Sequence, residues 1–544
     1  MNVVSGSMTP DGGAQAVMPA ERQDRRVRIA IIAAGALLLV ALFSRVMGEE
    51  LRHDEQIYFP IGMLFGQHAL YQEMSYAHLP NLPILLHWFL LVTATDHYFL
   101  AARLLVFLCW VGLLYAFAAT AWRLSASKMV TIVSVVLLVT NALFVDYQGM
   151  IIATHLFPIA FATLALLFFL DGMAQERVSS IRMLLCGVCL SVAVGFKANY
   201  VVMIPPFAIA SLLLPVALPL SRRLLSLSLP MMIGGIIGGL PTFYYLATHS
   251  DAFLFDVFEY FIGPHTVYWS RPEHAGEVIG LSLSGRLVYG YRLWSGGSTL
   301  LVIAGIIGCV VIAAARQKSE GSMTARFGRW PVLLCLALTL CGLLVSFVPK
   351  PSFSQYFMPP VPFAILLLAA LAGSLTRGER AQARPLLIAL GIAALIAGLP
   401  MLLADIPKLL HPAKWEGNRI HAFGERIRAE LAFVHGTPRI ATLAPVYAIE
   451  AGLKVYPELA SGPFYYRVGD YLTAEQRRAY HITSPTTIGE LLGRDPPDAI
   501  LIGQEGAMEI PLQRFALQNG YRLVPHRIGA DRYGEAILYI RSQR

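Results

Sequence analysis

Long apolar runs separated by short polar turns fill the chain as far as about residue 404. Eleven of them approach the roughly 20 residues that an α-helix needs to cross a bilayer: about 29–47, 98–121, 129–146, 150–170, 183–199, 201–219, 228–247, 299–315, 331–348, 357–375 and 385–404. The pattern predicts a polytopic α-helical membrane protein. The even-numbered turns carry the basic residues: Arg123 and Lys128; Arg177 and Arg182; Arg222 and Arg223; Arg316, Lys318, Arg326 and Arg329; Arg377, Arg380 and Arg384. That alternation is the positive-inside signature, and with Arg22, Arg25, Arg26 and Arg28 ahead of the first run it places the N-terminus in the cytoplasm and the C-terminal part outside. Residues 1–28 read as a cytoplasmic tail, Gly-, Pro- and Ala-rich and disordered over the first 20. The first run is read as a retained helix, because no small-residue cleavage site follows it.

Three outward pieces stand out. The first, 48–97, contains Arg52-His53-Asp54-Glu55-Gln56-Ile57-Tyr58 and then an apolar stretch, Leu82 to Thr93, too short to span. The second, 248–298, is rich in aromatics and histidine: Tyr260, His265, Tyr268, Trp269, His274, Tyr291 and Trp294. The third is residues 405–544, where a helix-like segment (420–433) and β-like runs at 439–443, 498–502, 521–525 and 536–540 predict an outer α/β domain.

Only 14% of the 544 residues are charged, and the mean hydropathy is +0.59, so soluble globular classes are excluded. The net charge of +8 is dispersed among the turns, which argues against nucleic acid as a partner. All six cysteines lie inside apolar runs. The CxxC spacing of Cys186 and Cys189 falls within one of these, and they read as small buried hydrophobes, not as a disulfide framework or metal site.

The adjacent carboxylates Asp54 and Glu55 are the sharpest chemical feature. Neighbours on a helix point about 100° apart, so one of the two faces a cavity while the other makes a structural contact. A partly desolvated carboxylate at a membrane edge suits a general base or a metal ligand. The plainer alternative is that Asp54 caps the short helix that starts at Glu55.

A motif order adds to this. An N-terminal span, then "DEQIYFPIGMLFGQHALY", "HLPNLPILLHWFLLV", Arg103 early in the next span, "VAVGFKANYVVMIPP" and "FSQYFMPPVPFAILLLAALAG" together resemble the GT-C type integral-membrane glycosyltransferases. The resemblance is greatest to the branch of protein mannosyltransferases and lipid A aminoarabinose transferases, and it covers most of residues 29–375. It implies transfer of a sugar from a polyprenyl-phosphate carrier to an acceptor on the outer face of a membrane, an activity in class EC 2.4. It assigns Asp54 as the base that deprotonates the acceptor hydroxyl, with Glu55 beside it. No nucleotide is needed, since the phospholipid leaves. The family's Lys-Pro-Pro of the first outer loop is replaced here by Asn81-Leu82-Pro83, and His155 stands where members often carry an acid.

Phosphate contacts are therefore expected from among Lys197, Arg271, Arg286, Arg292, Lys350 and Tyr356, Arg offering a fork and Lys a point charge. Snorkelling to lipid headgroups is the bland reading of each. Tyr58, Glu73, His78, Arg103 and His155 complete the expected substrate-binding set. Asp54, Glu55 and His155, with Glu73 and His78 in reach, form a candidate divalent-cation site. The aromatics of the second outer loop are expected to stack on sugar or to belong to an interfacial belt. Two competing classes stay open: a flippase of lipid-linked glycan, against which the chain shows no internal repeat, and a non-catalytic scaffold whose outer domain binds glycan. The family and the absence of N-glycan sequons in the outer parts point to a bacterial inner membrane, with the active site on the periplasmic face.

Overall fold

The computed structural model describes residues 18–173, 178–274, 281–316 and 326–542. Arg177 and Lys318 of the basic turns, and the first 17 residues, lie outside them. Seven helices among the described residues are long and apolar enough to cross a membrane: Arg28–Gly48, Tyr98–Ser125, Leu220–Thr248, Ser298–Ala315, Trp330–Phe347, Ser354–Ser374 and Arg377–Leu402. The other four runs of the expected eleven coincide with shorter apolar helices, Lys128–Val139, Phe157–Gly172, Ser180–Phe196 and Ala198–Leu213.

Several boundaries differ from the sequence reading, as where the helices matching 228–247 and 385–404 begin at Leu220 and Arg377 and the one matching 129–146 ends at Val139. The first helix, α1 (Met18–Gly48), starts eleven residues ahead of the apolar run assigned to it, inside the expected tail. The run expected at 150–170 is helical only from Phe157, and residues 151–156 are irregular. Irregular backbone at such depth is tolerated where it lines a cavity or is covered by protein, and residues 151–156 are buried throughout.

Close helix packing is set by glycine. A Cβ on Gly187 would lie 1.9 Å from the Met231 carbonyl oxygen, and one on Gly234 1.9 Å from that of Leu184, so the backbones of Ser180–Phe196 and Leu229–Thr248 touch as in other small-residue interfaces. Gly234→Leu is expected to separate this pair and abolish recovery of monodisperse protein in detergent. Gly235→Ala, whose added carbon meets only Ser191 Oγ at 3.5 Å, should behave as wild type.

The membrane helices carry charges at matching ends. Arg123 pairs with Asp171 at 2.8 Å, and Arg182 approaches the same carboxylate at 3.8 Å. On the opposite side, the short helix α2 (His53–Leu64) follows α1, the half-length apolar helix α3 (Asn81–Thr93) lies next, and α4 (Tyr98–Ser125) re-enters the apolar layer.

From Glu416 onward the chain forms a helical and five-stranded unit. Its strands are β1 (Arg439–Thr442), β2 (Lys454–Val455), β3 (Ala499–Ile502), β4 (Tyr521–Leu523) and β5 (Ile537–Arg541), in the order β2-β1-β3-β5-β4. β1 runs parallel to β2 and β3, whereas β5 is antiparallel to β3 and β4. The wholly buried run of β3 fits a central strand covered on both faces. Hydrogen bonds tie this unit to the segment between α1 and the start of α4: Leu51 N–H donates to Glu416 (2.9 Å), Val446 N–H to Gln56 Oε1 (3.0 Å) and Phe99 N–H, in the first turn of α4, to Glu450 (2.9 Å).

Candidate active site

The site begins with the divergence of Asp54 and Glu55 on α2. Glu55 turns inward, is wholly buried, and is gripped by Arg103 of α4, whose Nε and Nη2 donate to Oε1 and Oε2 at 2.7 and 2.6 Å. Ile152 N–H donates to Oε1 (3.0 Å), and Arg52 N–H at the start of α2 donates to Oε2 (3.2 Å). Arg103 also donates to the carbonyls of Val46 (2.8 Å) and Glu49 (3.1 Å) at the end of α1. The pair thus joins α1, α2, α4 and the irregular 151–156 segment. Burial raises Glu55 to about 6 against the pull of Arg103. Neither residue lines the cavity, and their place is underneath the site as its brace.

Asp54, one turn-step away, faces a cavity of about 340 Å³. Its side chain is 29% exposed and lies 3.6 Å from His155 Nε2. Desolvation raises the Asp54 pKa above the ordinary carboxylate value, with Lys197, His53 and Arg467 pulling in the other direction. Tyr58, one helical turn along α2, meets His78 Nε2 at 2.8 Å and accepts from Thr154 at 3.2 Å. Burial and the Lys197 charge lower His78 to about 3, so its ring stays neutral at physiological pH. Lys197, the residue that ends helix Ser180–Phe196, is buried, with its ammonium 4.9 Å above the Tyr356 ring. Such a contact holds the cation without neutralising it.

Of the sequence candidates, the cavity brings together Asp54, Tyr58, His78, His155, Lys197 and Tyr356. The rest lie elsewhere. Glu73 is exposed and accepts from Ala69 N–H at 2.8 Å. Arg271 is exposed and lies over the Tyr471 ring. Arg286 is buried and donates to the backbone carbonyls of Phe347 and Val348. Arg292 and Lys350 are exposed. The expected cation set is split as well: the oxygens of Glu55 are taken by Arg103 and backbone N–H groups, which leaves Asp54 and His155. Among the described residues no group of three or more His, Cys, Asp or Glu side chains is arranged to hold a metal ion.

The opposite wall comes from residues 248–298 and from the C-terminal α/β unit: His265, Tyr268, Trp269, Phe464, Arg467 and Glu505. Glu505 Oε1 lies 3.0 Å from His53 Nδ1, next to Asp54 in sequence. Neither Arg467 nor Glu505 carried a signal in the sequence, since only the packing of the C-terminal α/β unit brings them to Asp54.

No family model matches the sequence, and no curated protein matches it. Solved structures do. ArnT from Cupriavidus metallidurans, a lipid A aminoarabinose transferase, superposes in the apo state with a TM-score of 0.60 at 14% identity, over 95% of this chain and 98% of that one. Its complex with undecaprenyl phosphate gives 0.58 at 14% identity, over 94% and 97%. The arabinofuranosyltransferase AftD from Mycobacteria gives 0.49 at 13% identity, over 95% of this chain and 40% of that one. The chain has the fold of the GT-C type integral-membrane glycosyltransferases, the class its motif order resembles.

Proposed function

We propose that this chain is an inverting glycosyltransferase that moves a sugar from a polyprenyl-phosphate donor to a hydroxyl of an envelope acceptor, whether lipid, polysaccharide or protein, at the periplasmic face of a bacterial inner membrane. The observation that carries the reading is one cavity, beside the apolar helices, that holds a half-buried carboxylate, Asp54, and a buried ammonium, Lys197. The fold, shared with a protein crystallised with undecaprenyl phosphate, supports it. Asp54 takes the proton of the acceptor hydroxyl as that oxygen bonds to the anomeric carbon. The bond from the anomeric carbon to the phosphate oxygen breaks, and the polyprenyl phosphate departs with the electron pair and an added negative charge. Lys197 supplies the fixed positive charge that favours this departure, acting more strongly in a desolvated site than it would in water. Neutral His78 holds the Tyr58 hydroxyl, which lines the same wall.

The test is the full-length protein in lipid nanodiscs, supplied with undecaprenyl-phosphate sugars and an envelope extract. Acceptor-dependent release of undecaprenyl phosphate is expected, with a matching loss of one glycan modification in a deletion strain by mass spectrometry. Intact donor moved across a bilayer, with no bond cleaved, would establish the flippase reading instead. Charge on the departing phosphate is met here by side chains, so chelation with EDTA is expected to leave turnover unchanged. Loss of turnover that Mg²⁺ or Mn²⁺ restores would reassign Asp54 and His155 as metal ligands.

A further inference from the structure

The cavity holds a second cation whose place differs from that of Lys197. Arg467 belongs to the outer domain, and its guanidinium carbon lies 5.2, 4.9 and 5.1 Å from the ring centres of Tyr268, Trp269 and Phe464. It also reaches the Tyr260 hydroxyl. Ring faces attract a guanidinium without using its N–H groups as strong hydrogen bonds would, and Nε of Arg467 is buried with no hydrogen-bond partner among the described residues. No carboxylate among them pairs with Arg467: Glu505 on the same wall is engaged by His53, and Asp54 senses Arg467 only at longer range. His265, beside it, is kept neutral by burial and by the Arg467 charge. A guanidinium held in this way, aimed into a cavity and short of an anion, is costly unless a ligand supplies one.

Position separates the two cations. Lys197 ends a membrane helix, the level at which a lipid-borne phosphate arrives. Arg467 comes from the outer domain, the side open to an acceptor approaching from outside. We infer that Arg467 is a specificity-determining residue for the acceptor, selecting one that carries an oxyanion, carboxylate or phosphate, near the hydroxyl presented to Asp54. The inference rests on the transferase reading. The planar fork of arginine matches either oxyanion with paired hydrogen bonds, and a neutral acceptor leaves it unmet.

The test is calorimetric titration of the full-length protein in detergent, first with undecaprenyl phosphate and then, once saturated, with glucuronic acid, glucose 6-phosphate or glucose. One or both anionic sugars are expected to bind about tenfold or more tightly than glucose, the size of a charged hydrogen bond, and the comparison of the two identifies carboxylate or phosphate. Arg467→Gln should bring them down to the level of glucose while leaving undecaprenyl phosphate affinity unaltered, and Arg467→Lys should retain part of the preference if the Gln variant fails to fold. Lys197→Met should do the reverse, weakening undecaprenyl phosphate. The inference is overturned if the anionic sugars bind no better than glucose. It is equally overturned if Arg467→Gln weakens undecaprenyl phosphate as much as Lys197→Met does, since both cations then serve the donor. Failure of undecaprenyl phosphate to bind the wild-type protein sinks the transferase reading itself, and is seen before any sugar is added.

Discussion

Replacing Asp54 with Asn is expected to lower kcat for sugar transfer by about 10²- to 10⁴-fold, the range over which a positioned general base contributes, with donor affinity nearly unchanged. Asparagine keeps the shape of the side chain beside His155 but has no carboxylate to take the acceptor proton. The same residue sets a pH dependence. Because desolvation raises its pKa and the base works only when ionised, kcat/KM of the wild type should fall as pH drops through a value above the ordinary carboxylate range. The acid limb should vanish from the residual activity of Asp54→Asn. Neutral His78 cannot produce that limb, since its lowered pKa of about 3 lies below it. Turnover of Asp54→Asn within a few-fold of wild type, measured as undecaprenyl phosphate released in membranes, would remove Asp54 from the mechanism.

What the sequence conveyed follows from the range of the interactions involved. Apolar runs report burial in lipid residue by residue, so the long helices are legible. The four shorter ones are legible as apolar runs but not as to length, because the irregular stretch 151–156 is buried and uncharged, and the lone Thr154 and His155 within it do not mark where the helix begins. The site was legible where chemistry and local order coincide: Asp54 and Tyr58 share a face of α2, and Lys197 ends a helix just before a turn. Arg103 illustrates the limit. Its place early in α4 is visible, but a buried arginine serving a carboxylate 48 residues away has the same sequence signature as one waiting for phosphate. β2, at two residues, is too short for any alternation to register. Arg467 and Glu505 depend on tertiary docking alone, and no local pattern could have linked them to α2.

The Glu55–Arg103 pair carries the second large effect, on folding and not on chemistry. Removing one partner of a wholly buried ion pair leaves an uncompensated charge, at a cost of about 3 to 5 kcal/mol. Arg103→Met is therefore expected to lower the detergent-solubilised protein's unfolding temperature sharply, since it strands the Glu55 carboxylate with two backbone N–H donors. Glu55→Gln should cost less, because Arg103 keeps the carbonyls of Val46 and Glu49 and the amide can still accept from Ile152. The sign of the pH dependence distinguishes this brace from a substrate site. Glu55 in the folded protein already ionises at about 6, above its ordinary value of 4.5, and loss of Arg103 raises it further. Folding of Arg103→Met thus favours the protonated acid, and its deficit should shrink as pH falls from 8 toward 5 and grow as pH rises. Adding Glu55→Gln to Arg103→Met removes the stranded charge, so the double variant should be more stable than Arg103→Met at pH 8 and nearly independent of pH. Equal and pH-independent losses in both single variants, with additive losses in the double, would mean that the two side chains do not act as a pair. A brace of this kind also fixes where α2 begins, and through that one turn it sets the direction in which Asp54 points.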